Sequence, residues 1–387
     1  MGKIVYAAAM SHVLYPEYYG KNVGPHGRRM VEALIAEVQA MGKAMLAARP
    51  DALIVVADDH LNVFSYDAVP ALCVRIGRSV DRMVQADAIE FDRALDGLPV
   101  RYPLHEELAN RILEQGIDEG FDLAASWSAP LDHAFLSPVS TLCGAAPSPP
   151  LVPFWVNCFV APRPTARRCF AAGRLIAGVV AGGPWRVAVI ATGGLSHFPE
   201  LSLARVGQSD PGFDRRVVGW LEAGDHEALC ALTAKELHET GSHEFLNWMV
   251  LIGAVSPTRG RVRFFGEMGR IDLAAVEWDV AAGAGAADTA SPAATPHFGA
   301  AAPHFSAAAP HFSAAASHFN EVDVILYRLK KDAAFRARFQ ADAGAALAGA
   351  DLTDEVRAAL VAWDPRRLNE LGGSLHLLVS IPHLGKH

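Results

Sequence analysis

Residues 185–197 read WRVAVIATGGLSH. The segment Trp185 to Ala191 is a short apolar, β-branched run, and the polar and glycine residues after it bound it as a buried strand. It then passes through Gly193-Gly194-Leu195-Ser196 to His197, delivering a histidine just beyond its carboxyl end. Two other runs do the same. Lys3 to Met10 (KIVYAAAM) leads into Ser11-His12, and Ala52 to Ala57 (ALIVVA) leads into Asp58-Asp59-His60. In an open α/β sheet, ligands bind outside the carboxyl ends of the strands, so three histidines in that position are expected to converge on one cleft.

Between the first two strands, Met30, Leu34, Val38, Met41 and Met45 recur at spacings of three and four. This spacing puts them on one face of a helix. A fourth strand is predicted over Leu151 to Val160 (LVPFWVNCFV), followed by a helix over Arg167 to Val180. Strand, helix and strand in alternation imply an α/β fold with a central sheet flanked by helices.

The composition is globular: of 387 residues, 51% are apolar and 20% charged. A net charge of −8, from 42 acidic and 34 basic residues, argues against a nucleic-acid partner, which would require a basic face. Cys73, Cys143, Cys158, Cys169 and Cys230 are odd in number, scattered and without a CxxC pair, so reduced thiols in a cytoplasmic protein are expected. The opening apolar run is interrupted by Ser11 and His12, too early for a signal or membrane span.

Composition shifts abruptly over 281–319, where ATPHFGA, AAPHFSA, AAPHFSA and AASHFNE follow one another. Pro296, Pro303 and Pro310 would each remove a helix donor, so the repeat reads as a partly extended linker and not a coiled coil. The expected organisation is a catalytic domain over 1–280, this linker over 281–319, and a small all-α module over 320–387. One helix is predicted over Val324 to Gln340. Two more are predicted to start at Thr353 and at Asp364-Pro365, the last ending at Gly372-Gly373.

Neutral imidazole suits iron or zinc, and two histidines with one carboxylate and open positions is the ligand set of non-haem ferrous oxygenases. Zinc hydrolases can use the same set. The carboxylates in polar company are Asp58, Asp59, Asp132 beside His133, and Glu244 in GSHEFLNWMV. Asp59, beside His60, is expected to orient or solvate that site and not to ligate. Glu244 opens a predicted helix among apolar residues, where an unpaired carboxylate is costly to bury and a metal would remove the cost.

MSHV, VADDHLNVF, LDHAFLSPVS, ATGGLSHFPE and GSHEFLNWMVLIGA, in this order, resemble the class III extradiol dioxygenases, in particular the catalytic β subunit of protocatechuate 4,5-dioxygenase and the gallate dioxygenases. LYRLKKDAAFRARFQAD through LGGSLHLL is similar to the small α subunit of the same enzyme. The resemblance implies an Fe(II) cofactor held by His12, His60 and Glu244, His197 as acid/base, and His133 on a substrate hydroxyl. Ala134 follows His133 where glycine is usual, and VADDH stands where asparagine-aspartate-histidine is usual. Neither departure removes a ligand or the acid/base. The expected partners are a small aromatic substrate, catecholic or hydroxy-heteroaromatic, and O2. A homodimer is expected, with no nucleic-acid or membrane partner and with the C-terminal module acting as a lid. The competing expectations are a zinc-dependent hydrolase and a non-catalytic homologue.

Overall fold

A computed structural model describes residues 2–60, 62–64, 68–83, 95–197, 208–280 and 321–371, together with 373, 378 and 381. The predicted linker, 281–319, and Gly372 lie outside the described residues. The chain divides into two compact units, Met1–Asp288 and Thr289–His387.

The first unit is built on an eight-stranded mixed sheet. In chain order the strands are β1 (Lys3–Met10), β2 (Ala52–Asp58), β3 (Leu72–Arg75), β4 (Ser79–Asp81), β5 (Arg101–Pro103), β6 (Ala124–Ser126), β7 (Leu151–Val156), β8 (Arg186–Thr192), β9 (Gly260–Glu267) and β10 (Asp272–Trp278). Their order across the sheet is β6-β3-β7-β2-β8-β1-β10-β9, and β4 and β5 pair separately. The three histidine-bearing strands β2, β8 and β1 are adjacent and mutually parallel, so their carboxyl ends share one edge. This is the arrangement expected from their continuous apolar sequences, since central parallel strands are buried on both faces.

Alternate residues of these strands face opposite layers. Ala7, Ala9, Ile54, Val56, Val187 and Val189 pack against the helices Ala166–Gly182 and Phe245–Val255. Ala8, Met10, Leu53, Val55, Ala188 and Ile190 pack against Pro25–Ala47 and His133–Cys143. The long helix turns Val31, Leu34, Val38, Met41 and Met45 inward, with Met30 only partly buried at the margin. Gly173 and Gly253 let the helices Ala166–Gly182 and Phe245–Val255 touch backbone to backbone. A Cβ at the first would strike the Val250 carbonyl, and one at the second the Phe170 carbonyl.

Two sequence expectations need correction. The strand predicted to Val160 stops at Val156, because Asn157 closes a loop by accepting from Val160 N at 2.9 Å and donating to Val160 O. The helix predicted over Val324 to Gln340 is two helices, Glu321–Lys331 and Ala333–Ala341. Asp332 breaks them by capping the second, accepting from Phe335 N at 2.8 Å.

The second unit has its own apolar cluster, including Val322, Leu326, Leu329, Phe335, Phe339, Leu360 and Leu368. Thr353 and Asp364 cap the helices Asp354–Ala362 and Pro365–Glu370 as their sequences predict. All five cysteines are free, and all but Cys230 are buried. Among the described residues, no helix is long and apolar enough to cross a membrane.

Candidate metal and catalytic centre

His12 lies two residues beyond β1, His60 two residues beyond β2, and His197 five residues beyond β8. The shared strand edge therefore brings all three together. Glu244 enters from the N-terminus of the helix Phe245–Val255, and His133 from the first turn of His133–Cys143. The His12 and His60 ring centroids are 5.0 Å apart, and His133 lies 5.3 Å from the first and 4.7 Å from the second. Glu244 reaches three of the histidines: Oε2 is 3.9 Å from His12 Nε2, while Oε1 is 3.6 Å from His60 Nε2 and 3.3 Å from His197 Nε2.

The glycine pair of the β8 loop makes this approach possible. Gly193 has φ +125°, and a Cβ there would sit 2.8 Å from the Glu244 Cβ. The next amide, Gly194 N, donates to Glu244 Oε2. His197 is held from behind by its Nδ1, 3.0 Å from the Leu195 carbonyl. Ser196 anchors the same loop by donating from both N and Oγ to the buried Asp214, which faces Asp272. Asp272 N in turn donates to Ser196 O at 3.2 Å.

The two aspartates before His60 do different work. Asp58 closes β2 and Asp59 is the first residue past it, and the two meet different partners. Asp59 accepts from Asn62 N, Val63 N and Phe64 N at 2.8–3.0 Å, shaping the loop after β2. Asp58 is wholly buried and faces the histidines, with Oδ2 3.3 Å from His60 Nε2. Asp132 caps the helix His133–Cys143 through Ala134 N at 3.0 Å, accepts from Asn62 Nδ2 at 3.0 Å, and lies 3.6 Å from His60 Nδ1.

Burial pushes the His12 imidazole down to about 3, so the ring is neutral near pH 7 and offers one nitrogen lone pair. Burial acts in the same sense on His60, but Asp58, Asp132 and Glu244 outweigh it and hold that ring well above its ordinary value. Burial would raise Glu244, yet His197 and His12 keep it well below the usual carboxylate range. Burial lifts Asp58 to about 7.

The centre thus gathers three carboxylates and four imidazoles, of which His60 and His197 are partly exposed. His12 Nδ1, His60 Nδ1, Asp58 Oδ2 and Glu244 Oε1 are buried without a hydrogen-bond partner. One ligand atom from each of His12, His60 and His133, and likewise from each of His12, Asp58 and Glu244, lie within 4.8 Å of one another. This donor set fits a divalent cation, which would meet buried nitrogen and oxygen atoms left without a hydrogen bond.

Sequence reasoning did not single out Asn247 or Phe159. Asn247 follows Glu244 by three positions, one helical turn, and donates to Asp58 Oδ1 at 2.8 Å and to Thr192 O at 3.0 Å. That spacing was the available signal. Phe159 lies 5.5 Å from His60, ring to ring, on a loop whose course the sequence does not reveal.

The chain belongs to the family described as the catalytic LigB subunit of aromatic ring-opening dioxygenase, which matches residues 6–271. Residues 323–386 match the LigA subunit of the aromatic-ring-opening dioxygenase LigAB. The family implies a metal cofactor. Among curated relatives, a 2,3-dihydroxyphenylpropionate/2,3-dihydroxicinnamic acid 1,2-dioxygenase of Photorhabdus laumondii is 33% identical over 162 residues, 42% of this chain and 47% of that one. A second such enzyme, from Pseudomonas putida, is 34% identical over 175 residues, 44% of this chain and 52% of that one. The chain thus spans about half the length of the curated relatives it matches. A solved structure of an uncharacterized Escherichia coli K12 protein has a TM-score of 0.44 at 18% identity, covering 70% of this chain and 99% of that chain. That likeness is too partial to bear on function.

Proposed function

We propose that the chain is an extradiol dioxygenase that opens the ring of a vicinal dihydroxy aromatic with O2, using Fe(II) held by His12, His60 and Glu244. The observation that carries the reading is the meeting of these three residues with His197 at the carboxyl edge of three adjacent parallel strands. When bound, ferrous iron supplies a chelation point for both substrate hydroxyls and for oxygen, turning an encounter of reactants into an oriented reaction.

The chain's own groups manage protons and orientation. With Nδ1–H donated to the Leu195 carbonyl, His197 keeps Nε2 for proton transfer. With Glu244 committed to the metal and no longer favouring the imidazolium, Nε2 would take a hydroxyl proton from the substrate and later return one to product. His133, buried beside His60 and His12, hydrogen-bonds a substrate hydroxyl. Phe159 offers an apolar wall to the aromatic ring. Residues 320–387 form an accessory module that supports turnover, and the chain assembles as a homodimer.

The named relatives act on 2,3-dihydroxyphenylpropionate, and the sequence resembles enzymes of protocatechuate and gallate, so the substrate class proposed is a catechol bearing a carboxylate. Oxygen uptake is the test, measured with these three compounds and a hydroxypyridine after anaerobic loading with Fe(II) or Zn(II). Uptake with Fe(II) and a yellow ring-opened product is expected. No oxygen uptake with any of the four compounds after Fe(II) loading would sink this reading.

A further inference from the structure

We propose that Arg163 recognises the carboxylate of the substrate, pairing with it on the side of the centre lined by Phe159 and His243. The inference rests on the reading of the chain as a dioxygenase of carboxylate-bearing catechols and adds the residue that selects for the acid.

Arg163 belongs to the loop that follows β7. Cys158 ties the start of that loop to the centre, donating from Sγ to Asn247 Oδ1 at 3.4 Å. Phe159 comes next, its ring 5.5 Å from His60 and 6.2 Å from His243. Asn157 clamps the turn by accepting from Val160 N at 2.9 Å, and Thr165 caps the helix Ala166–Gly182 by accepting from Arg168 N at 3.1 Å. Arg163 stands between these two anchors, with Pro162 before it and Pro164 after it, residues whose rings fix φ. Its backbone is therefore held in one place beside the centre.

The side chain is partly buried, and burial works against its charge. Among the described residues it has no hydrogen bond and no carboxylate partner. Arg168, five residues on, shows a structural arginine of the same region: it donates to Gly120 O at 3.0 Å and lies 3.9 Å over the Phe121 ring. Arg163 and His243 instead line one small cleft together, with Leu237 and Leu246 as its apolar wall. Burial first, then Arg163, lower the His243 pKa to about 4, so the guanidinium charge is felt at a ring beside the centre. A cation half-removed from water without a counter-charge favours an anion. A carboxylate suits it, because the guanidinium fork donates two parallel hydrogen bonds to the two oxygens. Phe159 links His60 to His243, so an acid on a short arm reaches Arg163 while the hydroxyls stay with the metal ligands and the ring lies along Phe159.

The test uses the full chain, anaerobically loaded with Fe(II). Oxygen uptake gives kcat and KM for 2,3-dihydroxyphenylpropionate and for 3-propylcatechol, which keeps the three-carbon arm and lacks the charge. Wild type should favour the acid. Arg163→Gln, matched to wild type in metal content and circular dichroism, should lower the ratio of the two kcat/KM values, acid over uncharged catechol, by about 10- to 100-fold, with the loss falling on KM. Arg163→Lys should recover part of that ratio, because it keeps the charge and loses the fork. A wild type indifferent to the charge, or a ratio unchanged in Arg163→Gln, would overturn the assignment to Arg163. No oxygen uptake by wild type with either compound would instead defeat the underlying reading of the centre.

Discussion

His197 Nε2 sits 3.3 Å from Glu244 Oε1, and this carboxylate outweighs burial in lifting the imidazole pKa to about 9. A carboxylate favours the imidazolium form, so Glu244→Gln should lower the His197 pKa in metal-free protein. With burial left as the main influence, the value should fall below the ordinary 6.5. Histidine NMR titration of the apo variant measures it. A value still near 9 would place the source of the lift elsewhere.

His12→Ala, His60→Ala and Glu244→Ala should each weaken metal binding by about 10- to 100-fold or more, because each deletes a donor atom from a buried site. Elemental analysis after anaerobic desalting is the check. Stoichiometric iron in all three variants would contradict the assignment.

His197→Ala should keep its metal, since the imidazole is assigned to proton transfer, while turnover falls by about 10²- to 10⁴-fold. Iron content and oxygen uptake measured on the same preparation separate the two effects. Near-normal turnover would point to His133 as the proton carrier.

Asp214 gives a stability prediction. Burial first, then the neighbouring Asp272, raise its pKa from 3.8 to about 8, although Ser196 works against the shift. The folded state therefore holds a proton that the unfolded chain releases. That contribution to stability is fully present below about pH 4 and is lost as pH rises through about 8. Asp214→Asn should flatten the decline, as seen in urea midpoints measured at several pH values between 4 and 9. An equally steep decline in the variant would assign the dependence to other groups.

Ending the chain after Ala282 should leave a folded, metal-binding core, because the first unit has its own continuous apolar layers. Turnover should fall or KM rise, and residues 320–387 added as a separate chain should restore part of the activity. Wild-type kinetics in the shortened protein would make the second unit dispensable.

The central strands were legible because β1, β2 and β8 are buried on both faces and so read as unbroken apolar runs. Strands β3 to β6 have only three or four residues each, too few for a periodic signal. The histidines were legible from their position after strand ends. The anchoring of Asp58 by Asn247, 189 residues away, was not legible in the sequence. The break at Asp332 was hidden because its flanking segments carry one continuous helical pattern, Leu326, Leu329, Phe335 and Phe339.

The contact of Gly173 and Gly253 with opposing backbone has a consequence for how the centre fills. Interlocked main chains leave the helix Phe245–Val255 no room to slide or turn, so the carboxylate at its head is fixed by the scaffold before any ion arrives. Little conformational entropy is then left to lose on loading, and affinity is retained that a pliant site would forfeit. Adding a methyl group at either glycine would wedge the two helices apart. The cost would appear twice, as a lower melting temperature of the apoprotein and as a smaller rise in that temperature when metal is supplied.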